Sequence, residues 1–235
     1  MAGAIVQSVA ANASASATTL SSGNLPATTT AGNYLLVITD ADDTTCTCAD
    51  GLGNTFTERT NAVGAAIVRR MRIFTAPITS AGTSNAVTAT WGASKGLRFC
   101  AVLEISGVNA FDGAAAGTDE ASNNPAPSPA LSVTNSAQPA FCVGIGYDPQ
   151  GVGSATGSGY TAGPTFTPDG GGSGNVRTQY KTVTTVGAQT AQFGNAGFDR
   201  CKYALLIFLE GGGGGGGVVG KSNVIDQAVK RASVY

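Results

Sequence analysis

Leu97-Arg98-Phe99-Cys100-Ala101-Val102-Leu103-Glu104-Ile105 is the stretch on which the fold turns. Side chains of a strand alternate between its two faces. Leu97, Phe99, Ala101, Leu103 and Ile105 therefore share one face, and Arg98, Cys100, Val102 and Glu104 share the other. Five apolar residues on one side define a core-facing strand, because a slip of one residue would expose them all. The same grammar spreads outward. Tyr34-Leu35-Leu36-Val37-Ile38-Thr39 is a nearly continuous apolar run, as a central strand requires. Val87-Thr88-Ala89-Thr90-Trp91 alternates, and Met71 and Ile73 are expected inward with Arg70 and Arg72 outward. Downstream, Phe141, Val143, Ile145 and Tyr147 share a face, and Tyr203 to Leu209 closes the body.

Turn chemistry separates these runs at Asp50-Gly51, Gly53-Asn54, Asp112-Gly113 and Asp169-Gly170. About ten strands at spacings of roughly eight to fifteen residues point to two packed antiparallel sheets. Asn109 to Ala130 and Gln150 to Ser173 read as long loops, and the Ala/Ser/Thr-rich stretch from Ala10 to Ser22 as an arm or a loop between edge strands. No internal repeat is strong enough to divide the body.

The composition narrows the function. Of 235 residues, 42% are hydrophobic, enough for a real core, but only 11% are charged. The usual charged fraction is about 25%, so Ser, Thr, Asn and Gln must supply the polar surface. Such a surface suits a β-protein engaged in contacts, or a surface-exposed domain. The net charge is −1 with no basic block, which argues against nucleic acid. Histidine is absent, removing the commonest general base and zinc ligand together. No run reaches the length of a membrane helix. The first residues carry no basic-plus-apolar signal pattern, so synthesis in a host cytoplasm without export is expected.

The end of the chain reads differently. Gly211 to Gly217 is polyglycine. Such a run cannot pack and behaves as a tether of roughly 15 Å root-mean-square span. Beyond the linker of residues 211–221, residues 222–235 have helical spacing: Ser222 can cap, and Val224, Ile225, Ala228, Val229 and Ala232 form an apolar stripe ending near Tyr235. A helix this short is marginal alone and needs a partner surface. These residues are the expected docking element.

Cys46, Cys48, Cys100, Cys142 and Cys201 make an odd count, leaving at least one thiol unpaired or paired to another chain. Cys100, Cys142 and Cys201 read as small buried hydrophobes on strands; inter-subunit bridges in an extracellular particle are the other reading. Catalytic constellations are thin. Glu58, Glu104 and Glu210 are the carboxylates nearest to strands, yet a glycosidase needs two of them across a cleft. Asp40-Ala41-Asp42-Asp43 reads as an acidic turn without the spaced ligands of a calcium loop. Trp91, Tyr147 and Tyr160 are the aromatic candidates for stacking on a sugar. No catalytic, metal or cofactor residue is expected.

Several segments together resemble a jelly-roll sandwich found in bacteriophage and bacterial proteins. They are Ala31-Gly32-Asn33-Tyr34-Leu35-Leu36-Val37, Asp50-Gly51-Leu52-Gly53-Asn54-Thr55-Phe56-Thr57, Gly82 to Thr90, and Glu104-Ile105-Ser106-Gly107-Val108. The resemblance spans about residues 30 to 210. It implies an all-β, jelly-roll-like antiparallel β-sandwich over residues 1–210. It also implies a virion role, in head decoration, a fibre or a tail appendage, with other virion proteins or a homo-oligomer as partners. A carbohydrate-binding or adhesin module facing a host-surface glycan is the alternative. The resemblance supplies no catalytic residue.

Overall fold

The computed structural model describes residues 2–42, 45–63, 69–118, 128–148, 156–168, 174–193 and 201–211. The expected linker beyond Gly211 and the docking residues Val224, Ile225, Ala228, Val229, Ala232 and Tyr235 lie outside the described residues. Every regular element described is a strand, and all the pairings are antiparallel. The protein is an all-β antiparallel sandwich.

The first half holds β1 (Ala4–Ala13), β2 (Ala17–Asn24), β3 (Tyr34–Ala41), β4 (Cys46–Asp50), β5 (Thr57–Val63), β6 (Arg70–Pro77), β7 (Ala86–Lys95) and β8 (Arg98–Ser106). They form a five-stranded sheet in the order β1-β8-β3-β6-β5 and a three-stranded sheet in the order β2-β7-β4. Strand 1 pairs with 8, 2 with 7 and 3 with 6. That nesting is a hairpin ribbon rolled up on itself, the path of a jelly roll. Strand β5 departs from a plain ribbon by pairing with β6 rather than β4.

The second half repeats this path. It holds β9 (Val108–Thr118), β10 (Leu131–Asn135), β11 (Ala140–Asp148), β12 (Thr161–Phe166), β13 (Asn175–Val183), β14 (Gly187–Ala191) and β15 (Lys202–Glu210). Its large sheet runs β9-β15-β11-β13-β12 and its small sheet β10-β14. Each strand has a counterpart in the first half, β9 for β1 through β15 for β8, with none for β4 among the described residues. The repeat that the sequence does not declare is therefore plain in the topology. Sequence reading misses it because hydroxyl and glycine content blur the second copy, and because strand order is invisible along a chain.

The layers stack as small sheet, large sheet, large sheet, small sheet. Between the large sheets lies the main core, with Leu36, Ile38, Ile73, Phe99 and Leu103 from one half and Phe141, Val143, Ile145, Leu206 and Phe208 from the other. Phe208 meets both Tyr34 and Phe111 edge-on, at ring-centroid distances of 5.6 and 5.8 Å. A second core, with Leu35, Val37, Phe74, Trp91 and Val102, sits under β2-β7-β4. A third, with Cys142, Leu205 and Ile207, sits under β10-β14. At the margins β5 packs on β9, where the Arg59 guanidinium lies 4.2 Å from the Phe111 ring centre. On the opposite margin β1 meets β12, where Asn12 Nδ2 donates to Thr167 O at 3.0 Å. This reciprocity is the geometry of a twofold dimer contained in one chain.

Four expectations are corrected. Ala10 to Ser22 is no arm: it is the end of β1 and most of β2, because cross-strand pairing overrides the weak β-propensity of Ala and Ser. β9 occupies the start of the supposed loop from Asn109, and β12 lies within the stretch from Gln150. Arg72 is not turned to solvent; it is 6% exposed and held by Glu58 through Nη1 at 2.7 Å from each carboxylate oxygen. Glu104 is 1% exposed rather than outward. Its carboxylate accepts from Thr30 N at 2.9 Å, from Asn33 Nδ2 and from Gln7 Nε2. The alternation in β8 is real, but the outer sheet covers its second face as well, so both faces are interior.

A single residue, Gly107, joins the halves, with φ of 74°. Gly211 N donates to its carbonyl at 2.9 Å. Left-handed backbone is costly for any residue with a Cβ, so Gly107→Ala is expected to lower the unfolding free energy by about 1–2 kcal/mol in urea titration. Phe208→Ala removes the ring that joins both halves and is expected to cost about 3–5 kcal/mol by the same measurement. A loss below 1 kcal/mol would contradict its place in the shared core.

Candidate functional site

One end of the sandwich gathers charges in the interior. Asp40 lies near the end of β3, the middle strand of the first large sheet, and Lys202 begins β15 in the facing one. Both are essentially unexposed, and Lys202 Nζ stands 2.7 Å from Asp40 Oδ2. Lys202 also donates to Arg69 O at 3.3 Å. Arg69 Nε lies 3.5 Å from Asp40 Oδ1, and its Nη1 donates to Tyr147 Oη at 3.5 Å. The Tyr147 ring takes the Lys202 ammonium at 4.3 Å from its centre. Asp148 is buried beside Tyr147 on β11.

Strand register explains the meeting. Asp40 is opposite Phe99 in its own sheet, and Tyr147 is opposite Lys202 in the other. Each large sheet thus carries one aromatic and one charged residue on a rung at the same end, and stacking the sheets sets acid against base. Isolated, either charge would be costly in a dry interior; paired and hydrogen-bonded, each offsets the desolvation of the other. Above the cluster opens a cleft of about 420 Å³ lined by Asp42, Arg69, Ser94, Lys95, Gly96 and Leu97. Arg69 belongs to both the cleft and the buried cluster.

Sequence reading marks Asp40 only as part of an acidic turn. The structure splits that turn: Asp40 points into the core, Ala41 is buried, Asp42 lines the cleft, and Asp43 lies outside the described residues. Lys202 carries no sequence signal beyond opening an apolar run. Its partner lies 162 residues away in the chain, and no local pattern spans that distance.

The aromatic candidates do not converge. Trp91 is 3% exposed within the second core, and Tyr147 is 2% exposed beneath Lys202. Neither presents a ring face to solvent; both are core residues. Tyr160 is half-buried; its hydroxyl donates to Thr190 O at 3.0 Å and Lys181 covers its ring at 4.6 Å. The three candidate carboxylates are separately engaged, Glu58 with Arg72, Glu104 with Asn33 and Gln7, and Glu210 with Thr182 Oγ1 at 2.8 Å. No group of three or more acidic, Cys or His residues able to hold a metal occurs among the described residues.

All five cysteines are free thiols, and only Cys48 is not fully buried. Cys46, Cys48 and Cys100 line the second core. A hydrogen bond from the Cys48 thiol draws the Cys46 thiol below its ordinary range, while that bond and burial push Cys48 up. Burial likewise pushes up Cys100 and the Tyr160 phenol. Comparison with protein-family models, curated proteins and solved structures gives no match.

These shifts predict alkaline sensitivity. Burial raises the Cys142 thiol from 9.0 to about 11. Between those values the unfolded chain has released its proton and the folded chain has not, so stability is intact below about pH 9 and falls toward pH 11. Urea titrations at rising pH should show that fall, and Cys142→Ala should make it shallower. An unchanged slope in the variant would remove Cys142 from the account.

Proposed function

We propose that this protein is a structural component of a bacteriophage particle, a head-decoration or fibre element, acting by protein–protein assembly and not by catalysis. The observation that carries the reading is the chemistry of the two outermost sheet faces. Thr19, Thr90 and Thr47 form one rung across β2-β7-β4, with all three exposed. On the opposite side of the molecule, Ser132 faces Thr190 and Thr134 faces Ala188 across β10-β14, again exposed. The central outward positions of both small sheets carry hydroxyls and methyls and no charge; Lys95, opposite Ala17, stands at the end of β7. Proteins that must stay apart place charges on such surfaces. Two uncharged faces on opposite sides of a twofold body suit a connector with a neighbour on each side, where two contacts reinforce each other.

The jelly-roll path and the charge-poor composition agree with that role, and the tail of residues 222–235 would add an anchor. The reading as a glycan-binding module is weaker, since Trp91 and Tyr147 are core residues and Tyr160 alone of its aromatic candidates is half-buried.

Thr90→Lys and Thr190→Lys place a charge on each outer face at exposed positions, where substitutions usually change stability by less than about 0.5 kcal/mol. Particle sedimentation and light scattering should show either variant with reduced incorporation while its melting curve stays that of the wild type. Deleting residues 212–235 tests the tail separately. Wild-type incorporation by both lysine variants would overturn the role of the faces, and a wild-type chain that never co-sediments with particles would overturn the virion reading.

A further inference from the structure

We propose that Lys202 and Asp40 condense into an intramolecular amide bond that bolts the two halves together. The pair has the features of a reactant complex. Lys202 Nζ lies 2.7 Å from Asp40 Oδ2, both side chains are at most 1% exposed, and each projects from a strand inside a large sheet. Neither strand can move away without opening the shared core.

The chemistry balances without a co-reactant. The ammonium passes one proton to the carboxylate, giving a neutral amine and a carboxylic acid. The amine lone pair attacks the Asp40 carbonyl carbon, forming a C–N bond and a tetrahedral centre. Collapse breaks one C–O bond, and the attacking nitrogen's extra proton leaves with that oxygen as water. The products are one amide and one water; nothing is oxidised or reduced.

One effect opposes the reaction and four favour it. In water the ionised pair outweighs the neutral pair by about six to seven powers of ten. Burial works the other way, because a dry site penalises both charges and not the neutral pair. Fixed juxtaposition supplies an effective molarity of about 10⁵–10⁸ M, which is of the size needed to offset the ionisation preference. Arg69 serves the same step: its guanidinium faces the oxygen that becomes anionic in the tetrahedral centre. Amide formation also ends the cost of keeping two charges in the core.

The bond would close a loop of most of the chain and tie the middle strand of one jelly roll to its partner. In a particle subunit, that bond would carry shear between the halves that side-chain packing alone would bear.

Intact-mass spectrometry of the denatured full chain tests this directly. After allowance for any removal of Met1, the wild type should be lighter than its sequence by one water. Asp40→Ala and Lys202→Met should have their full sequence masses. Should those variants fail to fold, tryptic digestion of the wild type suffices. Acylated Lys202 resists trypsin, so a branched peptide joining residues 1–59 to 201–221 is expected. A wild-type chain of full mass, with cleavage after Lys202 and a linear peptide 1–59, would overturn the proposal.

Discussion

The packing of one large sheet on the other is the constraint from which the remaining structure follows. Each five-stranded sheet is apolar on both faces, and a sheet of that kind cannot stand alone in water. The small sheets β2-β7-β4 and β10-β14 cover the outer faces, and the partner half covers the inner ones. Phe208 illustrates the dependence, since it belongs to the second half yet packs on Tyr34 of the first. Neither half would bury its inner face without the other, so the two jelly rolls form one body in spite of their separate topologies.

That dependence explains where polar groups are tolerated inside. At one end of the interface, Asp40, Arg69, Lys202 and Tyr147 meet one another across the sheets. A mixed acid–base pair also has a directional consequence that apolar packing lacks: it fixes which end of one sheet lies over which end of the other. Glu104 does similar work outside the main core, holding the chain between β2 and β3 through Thr30 and Asn33. Removing either carboxylate would leave buried donors without acceptors, which costs more than the hydrogen bonds themselves contribute.

The internal twofold relates fold to the proposed role. Duplication places equivalent small sheets on opposite faces, and both expose rows of hydroxyls without charge. The edges, by contrast, are used internally, since β5 and β9 pack together on one margin and β1 and β12 approach on the other. A molecule built in this way offers faces for association and keeps the edge strands of its large sheets occupied.

Much of this was legible along the chain. The alternation of Phe99, Ala101, Leu103 and Ile105 names the face that enters the main core, as does that of Phe141, Val143, Ile145 and Tyr147. Local side-chain period depends only on neighbouring residues, so sequence suffices to establish strands, all-β class and the core-facing positions. What lies beyond that period was decided in three dimensions. Glu104 and Arg72 are buried because other sheets cover faces that alternation assigns to water. Asp40 finds Lys202 only because two rungs, each innocuous in its own sheet, are stacked. Strand order, the duplication and the buried charge pair arise from contacts between residues far apart in the chain. No local pattern encodes which distant strand will be the neighbour.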